Sequence, residues 1–353
     1  MSDSIVAQKK LMDRLHKAGS IKSTQLTKSS LFTEKDVIPT AVPMVNVALS
    51  GRLDGGLTNG LTVLAGPSKH FKTAFGLLMM KAYMDKYPEA ICLFYDSEFG
   101  TPEHYFSSLK IDTDRVIHIP IKNVEELKFD LVKQLEEIGT EDRVYVMIDS
   151  IGNLASKKEL DDARDEKSVA DMTRAKQLKS LFRMITPYLA MKDVPLVAVN
   201  HTYQTQEMFS KAVVSGGTGV YYSADNIWII GRQQEKKGTE IEGYNFIINV
   251  EKSRFVKEKS KIPISVTWEG GIKKWSGLLD VALEGEFVVK PTMGWYSKVN
   301  METGVVEENK VRAAVTDTKE FWEGIIDHPK FTKYVEEKYA MGSRLLQSID
   351  ADE

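Results

Sequence analysis

From residue 61 to about residue 200 the chain alternates short apolar runs with amphipathic segments. "LTVLAG" (61–66), "AICLFYDSE" (90–98), "RVYVMIDS" (143–150) and "VPLVAVNH" (194–201) are short and apolar enough for buried strands. Between them, "KTAFGLLMMKAYMDKY" (72–87), "VEELKFDLVKQLEEI" (124–138) and "RAKQLKSLFRMITPYL" (174–189) repeat apolar residues at helical spacing. Such alternation predicts an α/β domain with a mainly parallel sheet covered on both faces. "NIWIIGR", "YNFIINVEKSR" and "KIPISVTWE", within 226–269, read as antiparallel additions at one sheet edge. Segments such as "FTKYVEEKYAMG" (331–342) predict helices in a small C-terminal lobe. At the other end, Ile5, Leu11, Met12 and Leu15 have roughly helical spacing, broken by Gly19 and "SIKSTQLTKSS". The first thirty residues are either a frayed terminus or an arm that docks on a partner.

Composition narrows the class. The 353 residues are 42% hydrophobic and 27% charged, as in an ordinary globular protein. No apolar run approaches the ~18 residues of a membrane helix. The N-terminus lacks the apolar core and cleavage site of a secretory signal. The single cysteine, Cys92, can form no internal disulfide, which suits a reducing cytoplasm. Six scattered histidines without cysteine companions argue against zinc. A net charge of −3 does not point to nucleic acid, so any DNA contact must use local clusters of basic residues.

Candidate chemistry lies where the predicted strands end, since ligands in open α/β sheets bind beyond the strands' carboxyl ends. "GPSKHFKT" (66–73) resembles the phosphate loop G-x-x-x-x-G-K-[ST], with Gly66, Lys72 and Thr73 in place. Phe71 stands where the second glycine belongs. It is tolerable there with a negative φ and its ring turned away from phosphates. The loop runs through Pro67, Ser68, Lys69 and His70 into a helix start, whose N–H groups and dipole suit phosphate. Lys72 would meet the β/γ-phosphates and Thr73 a Mg²⁺ ion, with Asp149 near the metal and Glu98 placed to orient an attacking water. Each has a bland alternative: a chance motif match, a commonplace strand-end aspartate, a surface carboxylate. Their occurrence together, in this order, favours a nucleotide site.

"LAGPSKHFKTAFGL", "LFYDSEFG", "MIDSIGNLASKKE" and "VNHTYQTQEMFSKAVVSGGTG" closely resemble the UvsX-type recombinases of T-even-like bacteriophages, relatives of bacterial RecA. The resemblance runs from about residue 30 to about residue 340, and the family shares the replaced glycine. It implies a RecA-like P-loop ATPase core at 31–275, an N-terminal helical arm at 1–30 for subunit contact, and a small C-terminal lobe at 276–353.

It also implies ATP and Mg²⁺ as cofactors, held by residues 66–73 and Asp149. Tyr105 would stack on adenine, or be an ordinary core tyrosine. Asn200 and His201 end the strand where RecA has Asn-Gln, so His201 takes the γ-phosphate-sensing place. Two loops, roughly 156–172 and 202–219, would face DNA, the second with Met208, Phe209, Gly216 and Gly217. Between them "MTRAKQLKSLFR" holds Arg174, Lys176, Lys179 and Arg183 without an acid. Lys176 and Arg183, seven apart, share a helix face and align with basic RecA residues near the DNA axis, although a run of charges is commonly a solvated face. Lys252 and Arg254, on alternate positions of a strand, would converge on the ATP of a neighbouring subunit.

The implied activity is DNA-dependent ATP hydrolysis coupled to homologous pairing and strand exchange by helical filaments on single-stranded DNA. It would serve phage DNA repair and recombination-dependent replication in the cytoplasm of the infected host. Expected partners are single- and double-stranded DNA, further copies of the chain, a loading mediator and a single-strand-binding protein; no membrane is expected. A ring helicase on the same core, or a recombinase-like mediator with little turnover, are the alternatives.

Overall fold

The computed structural model describes residues 3–21, 23–29, 31, 36–165, 172–205, 212–237 and 240–342. The chain divides into two compact units, Met1–Asp36 and Val37–Glu353. Within the first, α1 (Asp3–Ala18) carries Ile5, Leu11, Met12 and Leu15 exposed, with basic residues in its last turn.

The second unit opens with α2 (Pro43–Ser50), β1 (Gly60–Ala65), α3 (Lys72–Lys86), β2 (Ile91–Asp96), α4 (Glu103–Ser108) and β3 (Val116–Pro120). It continues with α5 (Val124–Glu137), β4 (Val144–Asp149), α6 (Lys157–Arg164), α7 (Thr173–Met191) and β5 (Pro195–Asn200). A short ladder of β6 (Thr202–Gln204) and β7 (Ala212–Val214) then leads to α8 (Thr218–Ser223). The edge strands are β8 (Asn226–Lys237), β9 (Glu240–Lys252), β10 (Lys261–Thr267) and β11 (Gly271–Ile272). Last come α9 (Leu278–Glu284), a three-stranded sheet of β12 (Val288–Thr292), β13 (Trp295–Lys298) and β14 (Val311–Arg312), α10 (Lys319–Trp322) and α11 (Pro329–Tyr339).

The main sheet has the order β11-β10-β9-β8-β1-β5-β4-β2-β3. From β8 to β3 every neighbouring pair is parallel, and from β8 outward to β11 every pair is antiparallel. This is the expected α/β architecture with its antiparallel edge. Parallel strands need crossover segments, and here helices provide them on both faces. One face packs Tyr145, Met147, Val197 and Trp228 of the strands with Phe75 of α3. The other packs Leu127 and Leu131 of α5 with Leu178, Phe182 and Ile185 of α7.

Local sequence explains the helices. α3 is buried along most of its circumference because apolar residues surround it, as for a helix sunk between layers. α5 starts where Asn123 accepts a hydrogen bond from the Glu126 amide at 2.9 Å. In α7, Leu178, Leu181, Phe182, Ile185 and Leu189 form one buried stripe, while Lys176, Lys179 and Arg183 lie exposed. Ser156 and Glu159 form a capping box that starts α6 inside the segment expected to be the first loop. Among the described residues no helix is long and apolar enough to cross a membrane.

Candidate active site

The carboxyl ends of β1, β2, β4 and β5 bring the predicted polar residues together. Gly66 follows β1, and a side chain there would meet the Ile230 carbonyl at 2.9 Å, so only glycine fits beside β8. Pro67, Ser68 and Lys69 are exposed and lead into α3. No described side chain caps α3, and its first turn has no acid, so its terminal N–H groups and positive dipole end are open to an anion.

Lys72 is buried, and its Nζ donates to the Pro67 carbonyl at 2.7 Å. Burial holds its pKa below the ordinary lysine value, opposed by the carboxylates of Glu98 and Asp149. Thr73 Oγ1 donates to Asp149 Oδ2 at 2.6 Å, tying α3 to β4. Asp149 Oδ1 is buried without a hydrogen-bond partner among the described residues. The Asp149 carboxyl is pushed up to about 6, first by burial and then by Glu98 and Asp96; the Thr73 hydrogen bond and Lys72 oppose the shift. An orphaned carboxylate oxygen beside a threonine hydroxyl is a hard, oxygen-only donor set short of positive charge. It fits a Mg²⁺ ion arriving with a nucleotide.

Phe71 does not meet the condition of a negative φ. Its φ is +60°, in the left-handed region that glycine enters freely, and Lys69 is also left-handed at +62°. The ring stacks on Phe246 at 5.2 Å and 21°, and meets Phe75 edge-on at 5.9 Å. The loop therefore keeps a glycine-like backbone and holds the phenylalanine by packing. His70 Nδ1 lies 2.9 Å from the Ser68 carbonyl within the same turn.

Glu98 is placed by Asp96, whose Oδ1 accepts the Glu98 and Phe99 amides at 3.0 and 2.8 Å. Its own Oε1 accepts from Ser150 Oγ at 2.6 Å and Asn153 Nδ2 at 3.2 Å, and lies 3.1 Å from His201 Nε2. The adjoining Asn200 side chain donates to the Ser215 carbonyl at 2.8 Å, and the Ser215 amide donates to the His201 carbonyl at 2.9 Å. The carboxylate is thus joined to the root of the segment expected to be the second loop. Just beyond, Gly216 and Gly217 have φ of +96° and +74°. Met208 and Phe209 lie outside the described residues. Tyr105, on α4, is half-buried against the core and edge-on to His104 at 4.9 Å.

Sequence reasoning missed Asp96, Ser150 and Asn153, although all three sit within two or four residues of an assigned acid. Arg174 is not an outward cation. Its Nε donates to the Leu154 carbonyl at 2.6 Å, and its Nη2 to the Ile151 and Gly152 carbonyls at 2.9 and 2.7 Å. It clamps the turn that carries Asn153.

Lys252 and Arg254 also depart from expectation. β9 ends at Lys252, so the two do not share a strand face. Lys252 Nζ donates to the Tyr221 carbonyl at 2.7 Å, and Arg254 Nε pairs with Asp225 Oδ1 at 2.5 Å. Asp225 Oδ2 in turn accepts the Leu61 amide at 2.9 Å, at the start of β1. From Leu61 to the loop after Ala65 is roughly 13 Å along the strand at ~3.3 Å per residue. Within one chain, both cations are held at the end of the sheet opposite Lys72.

A mainly parallel sheet with a Lys-Thr helix start after one strand, and carboxylates ending two others, defines a P-loop nucleotide-binding core of the RecA kind. The family model for the RecA N-terminal domain matches residues 6–273. The model described as "Bacteriophage T4, Recombination and repair protein, C-terminal domain" matches residues 275–335. The chain is 52% identical over 348 residues to the recombination and repair protein of Enterobacteria phage T4, covering 97% of this chain and 88% of that protein. It is 25% identical over 321 residues to Protein RecA of Kineococcus radiotolerans, covering 90% and 87%. With Protein RecA of Streptomyces rimosus it shares 27% over 278 residues, covering 78% and 71%. The chain belongs to the RecA family and, within it, to the UvsX-type recombination and repair proteins of phages.

The buried charge at Asp149 has a measurable cost. Its folded pKa of about 6 exceeds the ordinary 3.8, so the folded protein binds more protons between these values. Stability from this group therefore falls as pH rises through that window, and the cost is complete above it. Asp149→Asn keeps an oxygen acceptor for Thr73 without the charge. Urea unfolding in metal-free buffer should show the variant roughly 1–3 kcal/mol more stable than wild type at neutral pH. The advantage should vanish below the ordinary carboxylate pKa, and no gain at neutral pH would contradict the buried-charge account.

Proposed function

We propose that this chain is an ATP-dependent recombinase that forms helical filaments on single-stranded DNA, pairs that strand with homologous duplex and exchanges strands. Membership of the UvsX-type branch supports recombination as the task. The observation that carries the ATP-dependent mechanism is the joining of Glu98, through His201 and Ser215, to the root of residues 202–219. A group near the transferring phosphate and a segment facing DNA then move together.

In this reading Lys72 and the amides of α3 hold the β/γ-phosphates, and residues 66–71 wrap them. Thr73 and Asp149 would hold Mg²⁺, which neutralises phosphate charge when bound. Tyr105 stacks on adenine. Glu98 orients the attacking water and accepts its proton, and His201 senses the γ-phosphate. An imidazole offers fewer donor arrangements than the glutamine of RecA, so the sensing differs in kind. Lys176 and Arg183, with Met208, Phe209, Gly216 and Gly217, face single-stranded DNA. Backbone contact of this kind is sequence-tolerant, leaving base pairing to test homology.

Lys252 and Arg254 act on a neighbour's nucleotide, which their distance from their own Lys72 supports. Subunits joined head to tail in this way grow as an open filament when the rotation between them does not close a ring. The N-terminal arm, with its exposed apolar residues, docks on the adjacent subunit. The setting is phage DNA repair and recombination-dependent replication in the host cytoplasm, with a loading mediator and a single-strand-binding protein as partners.

Two measurements check this reading. Glu98→Gln keeps the shape but removes the base, so DNA-stimulated ATP turnover should fall by ~10²–10⁴ while ATP still binds. Wild-type turnover would reject the assignment. For DNA, Lys176→Ala and Arg183→Ala should each lower the slope of log affinity against log salt by about one phosphate contact. Arg174→Ala, which loosens three carbonyls instead, should leave that slope unchanged and lower thermal stability. A slope change at Arg174 alone would reverse the placement.

A further inference from the structure

The phosphate loop holds two non-glycine residues in the left-handed region, Lys69 and Phe71, and each is gripped from the same direction. Phe246 of β9, buried, stacks on the Phe71 ring at 5.2 Å. Beside it on β9, Tyr244 lies 6.0 Å from Phe246 and carries the Arg232 guanidinium 4.4 Å over its ring. Arg232, on β8, donates through Nη1 to the Lys69 carbonyl at 3.3 Å. Two adjacent strands of the antiparallel edge thus hold the loop at two points.

We propose that the β8–β9 ribbon is a brace that replaces the missing glycine, with Phe246 as the positioning residue that keeps Phe71, and so Lys72, in the phosphate-binding conformation. This rests on the reading of residues 66–73 as the nucleotide site. An L-residue pays about five- to thirtyfold in population to adopt the left-handed conformation. An aromatic stack returns about two- to twelvefold beyond its burial. The two effects are of similar size, so removing the stack frees Phe71 to leave the left-handed well. Lys72, its chain neighbour and the first residue of α3, moves with it. Phe246 need not touch nucleotide for this to weaken binding.

The brace makes a prediction that core filling does not. If Phe71 and Phe246 only fill space, glycine at 71 is worse than alanine, and each further truncation adds harm. If they hold a conformation, glycine restores what alanine cannot, because it occupies the left-handed region freely.

The test is titration with a fluorescent ATP analogue and Mg²⁺, with thermal unfolding run on each variant: Phe71→Ala, Phe71→Gly, Phe246→Ala, Phe246→Leu, the Phe71→Gly, Phe246→Ala double variant, and Lys72→Ala. Phe71→Ala and Phe246→Ala should bind about two- to twelvefold more weakly than wild type, by loss of the stack. Phe71→Gly should bind more tightly than Phe71→Ala, and the double variant more tightly than Phe246→Ala, although it is no more stable to heat. Phe246→Leu keeps apolar bulk but not the flat ring; it should also lose affinity, and it carries the comparison if Phe246→Ala does not fold. The brace is overturned if alanine at 71 binds as well as glycine, or if the double variant binds no better than Phe246→Ala. Loss of binding in Lys72→Ala alongside either result means that the brace fails while the site stands. Unchanged binding in Lys72→Ala overturns the site reading and the brace with it.

Discussion

One carboxylate oxygen, Glu98 Oε1, joins three strand ends. It takes Ser150 Oγ and Asn153 Nδ2 from the exit of β4 and faces His201 Nε2 at the exit of β5, while Asp96 fixes its backbone at the exit of β2. A carboxylate drawn partly out of water needs such donors, and each comes from a turn with another task. The turn holding Asn153 is clamped by Arg174 at the start of α7. The turn after His201 is bonded to Ser215, ahead of the two left-handed glycines. Hydrogen bonds therefore link Glu98 to the roots of both segments expected to face DNA. The proposed coupling of ATP to DNA needs no more elaborate connection than these hydrogen bonds.

The parallel sheet is what allows this convergence. Parallel neighbours end on the same side, so Ala65, Asp96, Asp149 and Asn200 finish at one edge of the molecule. The antiparallel strands do the opposite: β9 runs back and leaves Lys252 and Arg254 at the far edge, near Leu61 and Asp225. One chain thus presents a phosphate loop on one side and a pair of cations on the other. That arrangement suits subunits stacked in one direction, each completing the next.

Much of this was legible in the sequence, for a physical reason. Strand-end chemistry is local: a buried apolar run ending in Asp149, or in Asp96-Ser97-Glu98, places its polar residue by strand length alone. What escaped depends on side-chain direction or on distant partners. Steric rules favour a negative φ for phenylalanine, and nothing near Phe71 reveals that Phe246, far along the chain, will hold it left-handed. The acid-free run from Arg174 to Arg183 shows charge but not which cation turns inward to carbonyls. The alternation of Lys252 and Arg254 suggests one strand, but β9 ends at Lys252, two residues earlier, and the shared-face argument fails.

The central claim is that the active site is completed between subunits, and complementation tests it most directly. A Glu98→Gln protein, with intact cations, is mixed with a Lys252→Ala, Arg254→Ala protein, with an intact carboxylate. DNA-stimulated ATP hydrolysis is then measured under conditions where mixed filaments are shown to form. The account predicts that two nearly inactive proteins partly restore each other, to at most about a quarter of wild type for random mixing, because one interface in four joins two intact halves. Activity that merely averages the two separate proteins in such filaments would contradict a site shared between subunits.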